Sequence, residues 1–70
     1  MNLTQAEIGK EYIINSIETC DEELDSFLFS LGCYSGEKIT VISHRRGGYV
    51  VAIKDARYTI DGALAEAISI

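Results

Sequence analysis

Residues 37–54 read EKITVISH-RRGG-YVVAIK. Glu37–His44 and Tyr49–Lys54 are both rich in β-branched residues, the side chains that pack well on a pleated surface. Between them stands Arg45-Arg46-Gly47-Gly48, whose two glycines permit the positive φ that tight turns require. The stretch therefore predicts a β-hairpin. Downstream, Arg57–Ile60 reads as a further short strand, and Asp61–Glu66 as a turn followed by one helical turn. Ala67–Ile70 reads as a closing strand with Ile68 and Ile70 on one face. Upstream, Lys10–Ile17 predicts a strand carrying Ile13, Ile14 and Ile17. Five short strands in 70 residues suggest a closed or nearly closed barrel, because closure removes exposed edges.

The period changes between these strands. Leu24, Phe27, Leu28 and Leu31 follow i, i+3, i+4, i+7, the spacing of one helical face. Thr19 with Glu22 has the form of a capping box, and Asp21 is the alternative N-cap. Glu22, Glu23 and Asp25 suit the positive end of a helix dipole. Gly32 stands where a left-handed C-terminal cap belongs. A helix of about ten residues is expected here, inserted between the first strand and the hairpin.

Length allows one domain, residues 1–70. Hydrophobic residues make up 47% of the chain and charged residues 24%, a globular composition. A domain this small buries only about 60% of the surface its unfolded chain exposes, which leaves little to line a deep catalytic pocket. The net charge is −5. The six basic residues are scattered except for Arg45 and Arg46, so the clustered cations that bind nucleic acid by counterion release are missing. Cys20 and Cys33 are too few for the disulfide scaffold of a small secreted domain. Met1–Lys10 has no basic flank followed by an apolar run, and no stretch approaches the roughly 18 apolar residues of a membrane span. The expected compartment is a reducing cytoplasm.

Catalysis and metal binding find little support. His44 is the only histidine and no paired acid or nucleophile accompanies it, so the expectation is a non-enzyme. Gly47-Gly48 lies between strands and lacks the Lys-Ser/Thr of a phosphate-binding loop. The two cysteines form no CxxC pair, and one histidine cannot supply a facial triad for ferrous iron. Neither a cofactor nor a dedicated metal site is expected.

Leu31-Gly32-Cys33-Tyr34-Ser35-Gly36 follows the amphipathic helix and precedes a strand. It resembles the Leu-Gly-(Leu/Met)-x-Pro-Gly signature of the FeoA family, with Leu28 three residues earlier as in that family. Leu3, Ala6 and Gly9 resemble its N-terminal Leu-x-x-Leu-x-x-Gly, and Ala65, Ile68 and Ile70 its closing Ala-x-x-Ile-x-Val. Cys33, Ser35 and Ala6 depart from the pattern, and the family's Leu/Met at position 33 makes Cys33 a buried apolar thiol. The resemblance implies an all-β, SH3-like barrel of about five strands with one inserted short helix. It also implies a cytosolic accessory protein that docks on FeoB, a ferrous iron permease with a G-protein domain, and so reaches the membrane only through that partner. The alternative is a stand-alone SH3-like regulatory domain related to the C-terminal domain of iron-dependent repressors.

A docking module needs a surface. On a helical wheel Phe29 lies away from the leucine stripe, and Tyr34 sits in the loop that follows. Arg45, Arg46 and Tyr49 surround the hairpin turn, and Arg and Tyr are common interface anchors. These five residues are the expected partner surface. Self-association through an open strand edge is a further expectation.

Overall fold

Two antiparallel hairpins with two-residue turns form the backbone of the fold. The computed structural model describes residues 1–70. Its strands are β1 (Glu11–Ile13), β2 (Ser16–Ile17), β3 (Lys38–Arg45), β4 (Gly48–Ile53), β5 (Ala56–Ile60) and β6 (Ile68–Ser69). Helix α1 (Glu22–Ser30) is inserted between β2 and β3, and a shorter helix, α2 (Gly62–Ala67), precedes β6. One sheet has the order β1-β3-β4-β5, and β2 pairs with β6 in a second. All pairings are antiparallel.

The strand expected over Lys10–Ile17 is two strands, so six are present where five were expected. The reason is a change of partner. β1 pairs with β3, but the Ile14 N–H donates to the Glu37 carbonyl at 2.8 Å and the Asn15 N–H to the Ser69 carbonyl at 2.7 Å. An eight-residue extended segment is long enough to serve both sheets in turn, and this handover joins the two sheets, while β5 keeps an open edge. Ahead of β1, a single 3-10 turn at Leu3–Gln5 is capped by Asn2. It delivers Leu3 fully into the core.

In the central hairpin Arg45 faces Gly48 across the two-residue turn Arg46-Gly47. Only Gly47 uses positive φ, at 87°. Gly48 is extended, and its lack of a side chain serves close approach instead. A Cβ there would lie 3.1 Å from the Ile60 carbonyl oxygen, which the β4–β5 ladder holds in place. Between Val41 and Ser43 the register slips by one, so Ile42 forms a β-bulge.

The core comprises Leu3, Ile14, Leu28, Cys33, Ile39, Val41, Val51, Ile53, Ile60, Ala65 and Ile68. It contains no buried polar side chain. Alternate residues of β3 and β4 point inward, as a half-buried sheet requires. Helix α1 contributes only Leu28; every other residue of that helix is exposed. The expected apolar face over Leu24, Phe27, Leu28 and Leu31 is thus corrected. Leu31 is half-buried, whereas Leu24 and Phe27 stay in solvent at 37% and 50% exposure. A core of this size has room for one turn of the helix and no more.

Caps rather than packing hold α1. Asp21 is the N-cap and accepts from the Glu23 and Leu24 N–H groups at 2.9 and 3.3 Å. The alternative cap is therefore the one used, while the Thr19 hydroxyl donates to the Asp21 carbonyl and the Asp25 carboxylate. At the other end Gly32 takes φ 86°, its N–H bonds Phe29 O at 3.0 Å, and the Cys33 N–H bonds Leu28 O at 2.9 Å. This is the Schellman arrangement, with Cys33 and Leu28 both buried beside it. Gly32→Ala is expected to cost about 1 kcal/mol in urea unfolding, because a left-handed backbone disfavours Cβ by about 1–2 kcal/mol. The added Cβ itself meets only ordinary contacts, Ile53 Cγ2 at 3.5 Å being nearest, so no larger loss is expected.

Candidate functional site

Three surfaces carry the side chains that chemistry or binding would use. The first lies at the C-terminal end of α1. Phe29 is 66% exposed, and its ring centroid stands 5.0 Å from that of Tyr34, tilted by 36°. The Tyr34 hydroxyl accepts from Lys54 Nζ at 3.0 Å, and that nitrogen lies 5.3 Å from the Tyr34 ring centroid. The Tyr34 hydroxyl and then the Glu37 carboxylate raise the Lys54 pKa, which keeps the ammonium charged. Two aromatic rings and a cation from the β4–β5 turn thus share one exposed patch. The loop beneath is fixed, because Ser35 Oγ donates to Asn15 O at 2.9 Å and the Gly36 N–H to Ile14 O at 2.8 Å.

The second surface is the hairpin tip. Arg45 and Arg46 are exposed with no carboxylate partner. His44 and Tyr49 face each other across β3 and β4, their rings parallel within 3° and 4.1 Å apart between centroids. The bulge at Ile42 makes this pairing, since without the slip Tyr49 would face Ser43. Tyr49 is half-buried and packs against the core. Sequence placed Phe29, Tyr34, Arg45, Arg46 and Tyr49 on one list of surface residues. The structure joins Phe29 to Tyr34, and Arg45 and Arg46 to Tyr49. The two groups stand at opposite ends of β4, about 17 Å apart at ~3.3 Å per residue.

The third surface is a cleft of about 380 Å³ between the start of α1 and α2. Leu24, Ala63 and Leu64 are among its apolar lining, and Glu18, Asp61 and Glu66 line it as well. Sequence reasoning missed it. Its only signal was the acidic run beside Leu24, which reads as a solvated face suited to the helix dipole or as a contact for a basic surface on a partner.

The ionisable groups are dispersed. No three His, Cys, Asp or Glu side chains converge on one point. His44 has an aromatic ring beside it and no carboxylate hydrogen bond. Cys20 is exposed and Cys33 buried, as separate free thiols. Burial pushes the Cys33 thiol up from 9.0 to about 11.

The Cys33 shift has a consequence for stability. Between about pH 9 and 11 the unfolded chain releases this proton and the folded chain keeps it. The folded state then binds more protons, so stability falls as pH rises through this window, by up to about 2–3 kcal/mol. Cys33→Ala is expected to flatten the alkaline slope relative to the parent, measured as urea midpoints from pH 8 to 11. In the native protein one thiol per chain, that of Cys20, should react with a thiol reagent. Both should react in denaturant.

No curated protein sequence matches the chain. Two solved structures share its fold. One is a manganese-dependent transcriptional repressor, with TM-score 0.87 and 23% identity. The match covers 97% of this chain and only 39% of the repressor chain, and at that identity it establishes the fold. The other is a crystal structure of an iron uptake regulatory protein (FeoA), with TM-score 0.80 and 25% identity. It covers 97% of this chain and 89% of that one. The architecture is thus the all-β SH3-like barrel with an inserted helix. The FeoA domain model matches residues 1–70, the whole span of the barrel and its helix, and the chain belongs to the FeoA domain family.

Proposed function

We propose that this chain is a small cytosolic accessory protein of ferrous iron transport that acts by docking, without catalysing a reaction. Its partner in this reading is a FeoB-type permease, engaged at the G-protein domain or another cytosolic segment and reached at the inner face of the membrane. Family membership over residues 1–70 supports the iron-transport context. The observation that carries the docking itself is the helix left outside the core, with Leu24, Phe27 and Phe29 exposed on a chain that folds without them. Three such side chains on one short helix support an interaction surface where a single one would not. No helix is long and apolar enough to cross a membrane, so contact with the bilayer would come through the partner.

Docking modulates a permease only if the two states of the permease bind the chain with different affinity. A barrel held by two sheets supplies a rigid body for that purpose, and its caps hold α1 in a fixed position. The Phe29–Tyr34 patch and the hairpin with Arg45, Arg46 and Tyr49 are the proposed contacts. Their separation along β4 would let one domain span both. The likeness to the repressor at 23% identity concerns the fold, so it gives the regulatory-domain alternative no observation of its own.

The test is an NMR titration of isotope-labelled chain with each soluble cytosolic segment of the permease, with GDP and with a GTP analogue. Shifts should localise at Phe29–Tyr34 and at Arg45-Arg46. Phe29→Ala, Tyr34→Ala and the double variant Arg45→Ala/Arg46→Ala should each weaken binding about tenfold, or ~1.4 kcal/mol. Unchanged affinity in all three, with the fold intact by its amide spectrum, removes both patches from the interface.

A further inference from the structure

Charge is segregated on this molecule. All six basic residues lie on the four-stranded sheet, in its turns or, for Lys10, just ahead of β1. None lies on α1, α2 or the segment that enters α1. That side instead holds seven carboxylates: Glu18, Asp21, Glu22, Glu23, Asp25, Asp61 and Glu66. The one ion pair of the protein, Lys38 Nζ to Glu11 Oε1 at 3.9 Å, is on the other side. The acidic side is therefore unneutralised by the protein itself. On this side is the cleft, whose lining combines the apolar Leu24, Ala63 and Leu64 with the carboxylates of Glu18, Asp61 and Glu66. Phe27 stands one helical turn from Leu24 and is half exposed, which extends the apolar strip along α1.

We propose that this cleft receives a basic amphipathic segment of a protein partner, one offering an apolar side chain flanked by Lys or Arg. The inference rests on the docking role and names the chemistry of what docks there. A lining of apolar side chains and charges of one sign selects an occupant that pairs apolar side chains with charges of the opposite sign. A purely apolar segment would leave the lining carboxylates partly desolvated and unpaired, and an acidic one would be repelled. Anionic lipid and nucleic acid are disfavoured by the same field. A volume of about 380 Å³ suits side-chain anchors inserted from outside. The walls are preorganised: Asp61 caps α2 through the Leu64 N–H at 2.8 Å, and the Glu18 N–H bonds Ala67 O at 2.8 Å. Little ordering cost therefore falls on this side of the complex.

The probes are two synthetic helical peptides with identical leucine positions. One has Lys at every polar position and the other Glu, and each is titrated into labelled full-length chain at low salt. The Lys peptide should shift the amides of Leu24, Ala63 and Leu64, and bind at least about tenfold tighter than the Glu peptide. That affinity should fall about tenfold toward 500 mM salt. Glu18→Lys/Glu66→Lys, two exposed positions that cap no helix, should lose about tenfold for the Lys peptide and retain a native amide spectrum. Equal binding of both peptides overturns the inference. So do shifts confined to Arg45-Arg46, or cleft signals that move with protein concentration alone, the mark of a second copy in the cleft. The permease segments are then titrated into the same sample. Binding of a segment at Phe29–Tyr34 with no response of the cleft to the Lys peptide removes this inference and leaves the docking role. A cleft that takes the Lys peptide while no permease segment binds supports the inference and removes the permease as partner.

Discussion

The backbone of Ile14 is held from two directions, and the rest of the architecture depends on that. Its N–H is given to Glu37 and its carbonyl accepts from Gly36, while its side chain is buried in the core. The next residue, Asn15, has already left for the second sheet, donating to Ser69 and accepting the Ser35 hydroxyl. Four hydrogen bonds around two residues thus join both sheets to the loop that follows α1. Buried backbone groups must be paired, and here the pairing also joins the two sheets. Because the loop is pinned on the strand side, the inserted helix is fixed at its exit by the chain itself. Its entry is fixed by the Asp21 cap. The helix needs one anchor in the core, Leu28, and is free to present everything else.

That freedom explains why the apolar stripe of α1 misleads when read as a core face. A stripe at i, i+3, i+4, i+7 normally faces inward. In a larger domain Leu24 and Phe27 would find a second layer to cover them. This chain buries 12 of 70 residues, and β3, β4, β5 and β6 together with Leu3, Ile14, Cys33 and Ala65 fill its interior before the helix adds its share. The periodicity gave the correct secondary structure and the correct orientation of Leu28, and the wrong fate for its neighbours. The wheel set Phe29 apart from the stripe but left open whether another part of the barrel covers it, and the structure leaves it 66% exposed.

Strand and turn positions followed the sequence closely where a local rule decides them. The hairpin over 37–54 was legible because β-branched runs flank a Gly-Gly pair, and Gly32 because helix ends of this kind require a left-handed residue. The handover at Ile14-Asn15 was not legible, since an unbroken extended segment carries no mark of where its partner changes. The bulge at Ile42 was equally silent. A one-residue slip costs one unpaired position, and here it trades a three-residue loop for a two-residue turn. It also sets His44 against Tyr49, and so makes the aromatic stack at the tip. Of the surface residues, sequence could name types that favour interfaces. It could not tell that Tyr34 reaches Lys54 while the arginines stand at the far end of β4, because that depends on register.

The acidic residues around α1 serve several ends at once. Asp21 caps the helix, and Glu22, Glu23 and Asp25 meet the positive end of its dipole, a contribution of about 0.3–1 kcal/mol each. These local roles would be satisfied by fewer carboxylates than the surface holds. The surplus matters for what the exposed Leu24, Phe27 and Phe29 would otherwise do. Apolar side chains in solvent favour contact between copies of the same chain, and a strand edge such as β5 adds hydrogen-bonding capacity to that hazard. Two copies meeting through α1 would bring two unneutralised carboxylate clusters together, and like charges at close range oppose that contact. The same field leaves contact with a basic surface unopposed. An apolar patch set among charges of one sign is therefore a conditional surface, unattractive to itself and open to a partner of opposite sign. That condition is what allows Leu24, Phe27 and Phe29 to stand uncovered on the helix of a 70-residue chain.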